Sequence, residues 1–315
     1  MPTTTPTPIQ LATQESVNAQ VREMARQLKA YIDGHTSGVP IISEPVQVDL
    51  FRIYQTTLSQ DLMDWADDTT ETLAQGNIFC DMKNVRRFIF TVLRSVTTGT
   101  EGTMNFLRAC PYMDYVSLPA LTTLTGSTYN YAFNNLPVLQ SLSLPSLTTL
   151  TGSTYNYAFQ NLPVLQSLSL PSLTTLTAIS NYAFQSNASL ESVSLPMLSA
   201  VGTSNVGNYR LFASCPNLID ITIGHVSGDL NVGSVTDNNF TQRVLRGWSP
   251  TNVLADTTKK ATMNANIRNH IAANFYDYSG ASGTHTVTFA AAVYNALEAE
   301  TLAAFTDKGW TVTSA

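Results

Sequence analysis

Apolar residues recur through the middle of the chain with a spacing of 25–28 residues, and this spacing is its dominant pattern. Four columns of apolar residues run through six units: Phe79, Leu107, Phe133, Phe159, Phe184 and Phe212; Val85, Met113, Leu139, Leu165, Leu190 and Leu218; Phe88, Val116, Leu142, Leu168, Val193 and Ile221; and Phe90, Leu118, Leu144, Leu170, Leu195 and Ile223. Two shorter columns occupy the central units: Leu147, Leu173 and Leu198, then Leu150, Leu176 and Val201. A unit of this length cannot bury its own apolar face, whereas stacked units share one continuous core. The pattern predicts a solenoid over residues 76–224.

Two central units are almost the same sequence. Residues 128–151 and 154–177 differ only where Asn134 is replaced by Gln160. The Leu-x-Leu step of each unit predicts a short strand whose outer two residues face the core and whose middle residue faces solvent. A proline follows this step in four units, and it ends the strand because it has no backbone N–H to donate. The Gly-Ser-Thr segments 126–128 and 152–154 are predicted turns on the opposite edge.

The segment before the repeats carries helical patterns. Apolar residues at heptad-like spacing predict a helix over residues 14–33. This helix either packs on its own chain or forms a short oligomerising stalk, most often a trimer in a fibre, whose seam would be Val17, Val21, Met24 and Leu28. A second helix is expected near 57–74, as part of a cap on the first repeat.

The sequence after the repeats predicts a C-terminal segment that contains both helices and strands. A helix is expected over 263–275, a strand over 284–289, a helix from Val293 to Phe305 that stops at Gly309, and a closing strand over 310–313. The predicted organisation is therefore a tail and amphipathic helix over 1–40, an N-terminal cap over 41–75, repeats over 76–224 and a C-terminal cap over 225–315.

The repeat template resembles the BspA-type variant of the leucine-rich-repeat family, found in bacterial surface proteins, whose unit reads A-F-x-x-C-x-x-L-x-x-I-x-I-P. The resemblance implies an α/β repeat solenoid of about six units, with an N-terminal helical segment and a C-terminal strand-helix-strand cap. The final Lys-Gly-Trp-Thr-Val resembles the C-terminal caps of such bacterial and phage repeat proteins. The sequence departs from the family pattern at Leu107, which replaces the anchor Phe, and in the first and last units, which lack the proline.

Charge and cysteine content narrow the classes of partner. The net charge is −6 and charged residues are 12% of the chain, so a nucleic-acid partner is not expected. No apolar run reaches the roughly 20 residues that a membrane-spanning helix needs, so membrane insertion is not expected. Cys110 and Cys215 occupy the column of Leu136 and Leu162, which predicts buried, unpaired thiols.

The surface of the repeats suggests where a ligand would bind. Between Asp114 and Arg210 the only charged residue is Glu191, and the outward strand positions are mostly serine. This surface either binds a neutral ligand, such as a cell-surface glycan or another protein, or is only a solvated strand face. The candidate binding residues are a charged, aromatic edge and a tyrosine column: Arg86, Arg87, Arg94, Asp114 and Tyr115, then Tyr131, Tyr157 and Tyr182.

No pattern for catalysis is present. The four histidines lack partners at metal-ligand spacing, and no nucleotide-binding or nucleophile motif occurs. We therefore expect no catalytic residues, metal or cofactor. The leading interpretation is a non-enzymatic component of a bacteriophage virion, a fibre or decoration protein in assembly or host attachment, since the N-terminus has no secretory signal and one repeat is freshly duplicated. The alternative is a bacterial cell-surface adhesin whose export signal was removed, and an enzyme is kept as a remote third alternative.

Overall fold

A computed structural model describes residues 63–64, 72–73, 79–82, 85–98, 102–152, 154–177, 180–198, 200–201, 211–224, 245, 247–280 and 285–314. Residues 14–33 lie outside this part of the chain, so the predicted stalk of Val17, Val21, Met24 and Leu28 stays a prediction. None of the helices in the described segments has both the length and the apolar character needed to cross a bilayer.

Each repeat contributes up to three short strands, and equivalent strands of successive repeats pair in parallel. The strands are β1 Met63–Asp64, β2 Thr72–Leu73, β3 Arg87–Ile89, β4 Ser95–Thr97, β5 Thr103–Met104, β6 Tyr115–Ser117, β7 Thr123–Gly126, β8 Tyr129–Asn130, β9 Ser141–Ser143, β10 Thr149–Gly152, β11 Tyr155–Asn156, β12 Ser167–Ser169, β13 Thr175–Thr177, β14 Ser180–Asn181, β15 Ser192–Leu195, β16 Ala200–Val201 and β17 Asp220–Ile223. They build three parallel sheets along the solenoid, which confirms the stacked-repeat fold.

The pairing register follows the repeats of the sequence. In the second sheet, which runs β2-β4-β7-β10-β13-β16, Thr149 faces Thr123 and Thr175 in the neighbouring strands. In the third sheet, which runs β5-β8-β11-β14, Tyr155 faces Tyr129 on one side and Ser180 on the other. Identical residues therefore stack directly over one another in the duplicated units.

The first sheet is divided into two parts. One part runs β1-β3-β6-β9 and the other runs β12-β15-β17, so the strand ladder stops between the two near-identical units. Leu142 of β9 is only half-buried, whereas its column equivalents Val116 and Leu168 are buried. The other two sheets continue across this division and hold the units together.

The apolar columns form the core, as predicted. Phe133, Phe159, Phe184 and Phe212 are fully buried and stack face to face, with ring centroids 5.3–5.4 Å apart. At Leu107 the neighbouring Phe106 supplies the aromatic ring, and it packs edge-on against Phe133 at 6.2 Å. Cys110 and Cys215 are free and buried, as predicted, and each thiol contacts the main-chain carbonyl of an anchor Phe in the preceding repeat, Phe79 and Phe184 respectively.

The corners between sheets depend on special backbone positions. Gly126 ends β7 rather than lying in a turn, and a Cβ there would collide with the carbonyl oxygen of Tyr129, so only glycine fits. The residue two after each anchor column has a positive φ of 57–63° in all six units: Asp81, Ala109, Asn135, Asn161, Ser186 and Ser214. A left-handed residue at the same place in each unit turns the chain before the next strand.

Two sequence-based expectations are wrong. The class α/β does not describe the repeats, because the described residues between 79 and 224 form strands and turns without a helix. The helix expected near 57–74 is also contradicted, since Met63–Asp64 and Thr72–Leu73 are strands that pair with β3 and β4. Parallel pairing with the first repeat overrides the local helical pattern at these four residues, and the rest of 57–74 lies outside the described part of the chain.

The C-terminal segment forms a mixed cap, as predicted in outline. Its elements are α1 Thr251–Leu254, α2 Thr257–Asn266, a π-helix Ile267–Ile271, a 3₁₀ turn Ala272–Asn274, β18 His285–Phe289, α3 Ala291–Tyr294, α4 Ala299–Thr306 and β19 Trp310–Ser314. The single helix expected from Val293 to Phe305 is two helices, α3 and α4. β18 and β19 are parallel partners, α4 packs against β19, the π-helix and the 3₁₀ turn, and the π-helix packs against β17 of the last repeat.

Side chains of the cap bind the exposed edge of the last repeat strand. Asn266 and Asn274 donate to the carbonyl oxygens of Ile219 and Ile223, at 3.1 and 2.9 Å. His270 Nδ1 lies 2.7 Å from the carboxylate of Asp220. The cap thus occupies hydrogen-bonding groups that would otherwise offer a template for another strand.

Candidate functional site

Five tyrosines of the third sheet and its following corner lie together on one side of the solenoid. We call this set the tyrosine stack: Tyr129, Tyr131, Tyr155, Tyr157 and Tyr182. Tyr129 and Tyr155 stack with centroids 5.5 Å apart, and Tyr131, Tyr157 and Tyr182 form a longer column with separations of 5.0 and 5.2 Å. All five side chains are half-buried. Three of the predicted binding residues therefore belong to a larger, continuous aromatic surface.

The backbone fixes the longer column. The N–H of Tyr157 donates to the carbonyl of Asn130 at 2.7 Å, and that of Tyr182 donates to Asn156 at 2.9 Å. Asn130 and Asn156 are fully buried, and the side-chain oxygen of each accepts the N–H two residues further on. Each tyrosine is thus attached to an asparagine corner of the preceding repeat, so the ring spacing follows the repeat spacing.

A row of amide side chains starts at the same end of the molecule as the longer tyrosine column. Asn134 donates to Gln160 at 2.9 Å and Gln160 donates to Gln185 at 2.7 Å. Arg108 occupies the equivalent position in the preceding repeat, and its guanidinium lies 4.7 Å from the ring centroid of Tyr131. Arg108 therefore covers the first ring of the column, and its guanidinium also donates to the side-chain oxygen of Asn105 at 3.1 Å.

The hydroxyls of Tyr131 and Tyr157 stay protonated well above neutral pH. Burial raises the pKa of Tyr157, and the neighbouring phenols Tyr131 and Tyr182 add to this effect because two adjacent phenolates repel, so that the pKa is about 12. Burial also raises the pKa of Tyr131, against the opposing effect of Arg108. Near neutral pH these hydroxyls can both donate and accept hydrogen bonds.

The predicted charged, aromatic edge lies elsewhere in the repeats. Arg87 and Tyr115 face each other in β3 and β6, with the guanidinium 4.7 Å from the ring centroid. Arg86 makes an exposed ion pair with Asp114, its Nε 3.0 Å from the carboxylate oxygen. Arg94 precedes β4 of the second sheet. The candidate residues are consequently distributed over the three sheets rather than gathered in one site.

Arg108 and the amide row were missed by the sequence reasoning. Their signal is present in the repeat alignment, where Arg108, Asn134, Gln160 and Gln185 fill one column directly after the aromatic anchor. The alignment shows that these residues share a position, but it does not show that their side chains bond along the axis or that Arg108 reaches a ring.

The described residues offer little for redox, thiol or metal chemistry. Burial raises the pKa of Cys110 to about 12 and that of Cys215 to about 11, which keeps both as unreactive thiols. Within the described segments no three His, Cys, Asp or Glu side chains are grouped so that they could hold a metal ion.

Comparison with known proteins identifies the repeats. Residues 104–243 match, in six copies, a family model described as the BspA-type leucine-rich repeat region. The match spans less than half of the chain. The comparisons with curated proteins and with solved structures found no match.

Proposed function

Because residues 104–243 match the model of a BspA-type leucine-rich repeat region, we propose that this chain is a non-enzymatic recognition protein that binds its ligand along the tyrosine stack. The observation that carries the proposal is the stack itself: five nearly parallel, half-buried tyrosine rings on one side of the third sheet. Tyrosine offers a large contact area and a polar group at low entropic cost, which suits recognition.

The setting that we propose is a bacteriophage virion, where the chain would act as a fibre or decoration protein in assembly or host attachment. The near-identity of residues 128–151 and 154–177 supports this setting, since it marks a recent duplication of a kind that changes the reach of an attachment protein. The alternative is a bacterial cell-surface adhesin, which the BspA-type repeats favour because this variant occurs in bacterial surface proteins.

Cell binding tests the recognition function. Fluorescently labelled full chain should bind to bacterial cells, and Tyr157→Ala should weaken this binding while leaving the fold intact. Tyr112→Ala is the matched control, because Tyr112 is 60% exposed and lies outside the tyrosine stack. Equal binding by both variants and the wild type would show that the stack is not the recognition surface.

Antibody labelling separates the two settings. An antibody against the chain, viewed by electron microscopy in a culture that expresses the native gene, should label phage particles if the virion proposal is right. Label on the bacterial envelope without label on particles would favour the adhesin.

A further inference from the structure

We propose that the tyrosine stack binds an extended, uncharged, β-1,4-linked glycan whose sugar rings follow the solenoid axis, one sugar to each repeat. This inference rests on the proposed recognition function and adds the class of ligand and its orientation. It is argued from the spacing of the rings, the groups that they expose and the charge around them.

The spacing of the stack matches such a chain. Rings of the longer column are 5.0 and 5.2 Å apart, and those of the shorter column are 5.5 Å apart. An extended β-1,4-linked pyranose chain advances by nearly this distance for each sugar, and each sugar is turned by roughly half a revolution relative to the one before it. Each tyrosine would therefore meet one sugar, and neighbouring tyrosines would meet sugars in alternating orientations.

The exposed groups of the stack suit a sugar. Rings that lie directly face to face in van der Waals contact would have centroids about 3.5 Å apart, so rings whose centroids are 5.0–5.5 Å apart do not cover one another completely. The half-buried rings leave apolar surface for sugar C–H groups and carry phenolic hydroxyls for sugar hydroxyls. Because burial and the neighbouring phenols raise the pKa of Tyr157 to about 12, its hydroxyl is a donor as well as an acceptor.

The charge around the stack favours a neutral ligand over an anionic polymer. Between Asp114 and Arg210 the only charged residue is Glu191. Arg108 lies at the first end of the longer column with its guanidinium over Tyr131, so the two later rings have no cation in their own repeats. Polyanions are held by several cations along their length, and this surface does not supply them.

An extended peptide along the same axis fits poorly. Side chains on one face of a strand recur about every 6.6 Å, because a strand rises about 3.3 Å per residue. Against rings about 5 Å apart, the peptide falls out of register within three repeats. The stack can therefore keep its register with a glycan but not with a strand.

Calorimetric titration of the full chain tests the inference. The probes are β-1,4-linked N-acetylglucosamine and glucose oligomers from the disaccharide to the hexasaccharide, and α-1,4-linked glucose oligomers of the same lengths serve as comparison. Affinity for a β-1,4-linked series should rise from two sugars to three and then level off, since the longer column has three tyrosines. The α-1,4-linked oligomers, whose chain curls, should bind more weakly.

Variants locate the binding. Tyr157→Ala should lower the affinity by about tenfold or more, as is usual for a central aromatic contact. Tyr157→Phe should lose less, because it keeps the ring, and Tyr112→Ala should bind like the wild type. A chain lacking residues 154–178 loses one tyrosine of each column, so its affinity should level off at two sugars instead of three. Thermal melts of each variant check that it is folded.

The outcomes separate this inference from the recognition function. Suppose that cell binding depends on Tyr157 but that no β-1,4-linked oligomer binds. This result would overturn the proposed glycan ligand and leave the recognition function standing. Loss of cell binding after protease treatment of the cells would likewise overturn it in favour of a protein ligand. If the α-1,4-linked oligomers bind as tightly as the β-1,4-linked ones, the proposed placement of one sugar at each repeat along the solenoid axis is wrong. Absence of both cell binding and oligomer binding would overturn the inference and the proposed function together.

Discussion

Single side chains in the repeats act through the equivalent side chains one repeat away. Phe159 lies between Phe133 and Phe184 at 5.4 Å on either side, and Tyr157 lies between Tyr131 and Tyr182 in the same manner. One substitution therefore changes two contacts. The phenylalanine column is buried and determines stability, whereas the tyrosine column is half-buried and is available to a ligand.

Truncation of a stacked phenylalanine should be costly. We expect Phe159→Ala to lower the free energy of unfolding by about 3–5 kcal/mol, the usual loss for a buried aromatic residue whose cavity cannot collapse. Val164→Ala in the same repeat is the control, because Val164 is 40% exposed and should change stability by less than about 0.5 kcal/mol. Urea denaturation measures both. A loss below about 1 kcal/mol at Phe159 would contradict the stacked core.

The raised pKa of Tyr157 predicts how stability depends on pH. The folded protein favours the protonated phenol, so this contribution is present below pH 10, where an unfolded tyrosine titrates, and is lost as the pH rises towards about 12. Absorbance titration at alkaline pH should show a late component that Tyr157→Phe removes. The component should also vanish in denaturant, and its persistence in Tyr157→Phe would assign it to another residue.

At the scale of elements, the sequence is informative where a residue is buried and periodic. The columns from Phe79 to Ile223 were predicted to face the core because each recurs at the repeat spacing, and the structure confirms this for every member whose side chain it describes, except half-buried Leu142. The Leu-x-Leu strands were predicted for the same reason. The second and third sheets were not, because their strands are short and Gly126 looks like part of a turn until its close approach to Tyr129 is known.

Contacts between repeats were the part that the sequence could not predict. Arg108 reaches the ring of Tyr131 across a repeat, at a distance that depends on the corner geometry and not on spacing along the chain. The predicted charged edge and the predicted tyrosine column looked equivalent in sequence, yet the first contains an exposed ion pair and the second a continuous stack. The two candidate surfaces therefore differ in how the strands place their side chains, which the residue types alone do not reveal.

The cap on β17 should control association. Replacing both Asn266 and Asn274 by alanine frees the carbonyls of Ile219 and Ile223, and each lost hydrogen bond should cost about 1 kcal/mol. The freed edge should also raise concentration-dependent association, measured by light scattering. Asn269→Ala, an exposed position in the adjoining π-helix, should leave both properties unchanged. A double variant with the same mass and the same stability as the wild type would show that the edge is protected by other groups.

The whole molecule is a linear array, because each unit contacts chiefly its neighbours. Tyr155 pairs with Ser180, so a deletion of residues 154–178 removes one unit in register and places Ser180 against Tyr129. We expect this shorter chain to fold cooperatively, as judged by circular dichroism, gel filtration and urea denaturation. A deletion of 154–179 removes one more residue from the corner before β14 and should be less stable. An aggregated product from the first deletion would argue for a closed domain.

Assembly is the property of the whole molecule that depends on residues 14–33. If Val17, Val21, Met24 and Leu28 form an oligomerising stalk, light scattering of the full chain should give the mass of an oligomer, a trimer in a fibre, and a chain starting at residue 40 should be a monomer. A monomer in both cases would exclude the stalk and leave the helix to pack on its own chain or on another protein.

The direct superposition of identical residues in the duplicated units also has a consequence for inheritance. Two gene segments that encode almost the same repeat can recombine unequally. Each such event adds or removes one whole repeat, while the remaining strands keep their pairing. Each event would lengthen or shorten the array by roughly one strand spacing, about 4.8 Å. It would also change the number of tyrosines in each column by one. A population that carries this gene could then vary the affinity of the protein for a polymeric ligand in discrete steps, by changing the number of repeats instead of by point mutation.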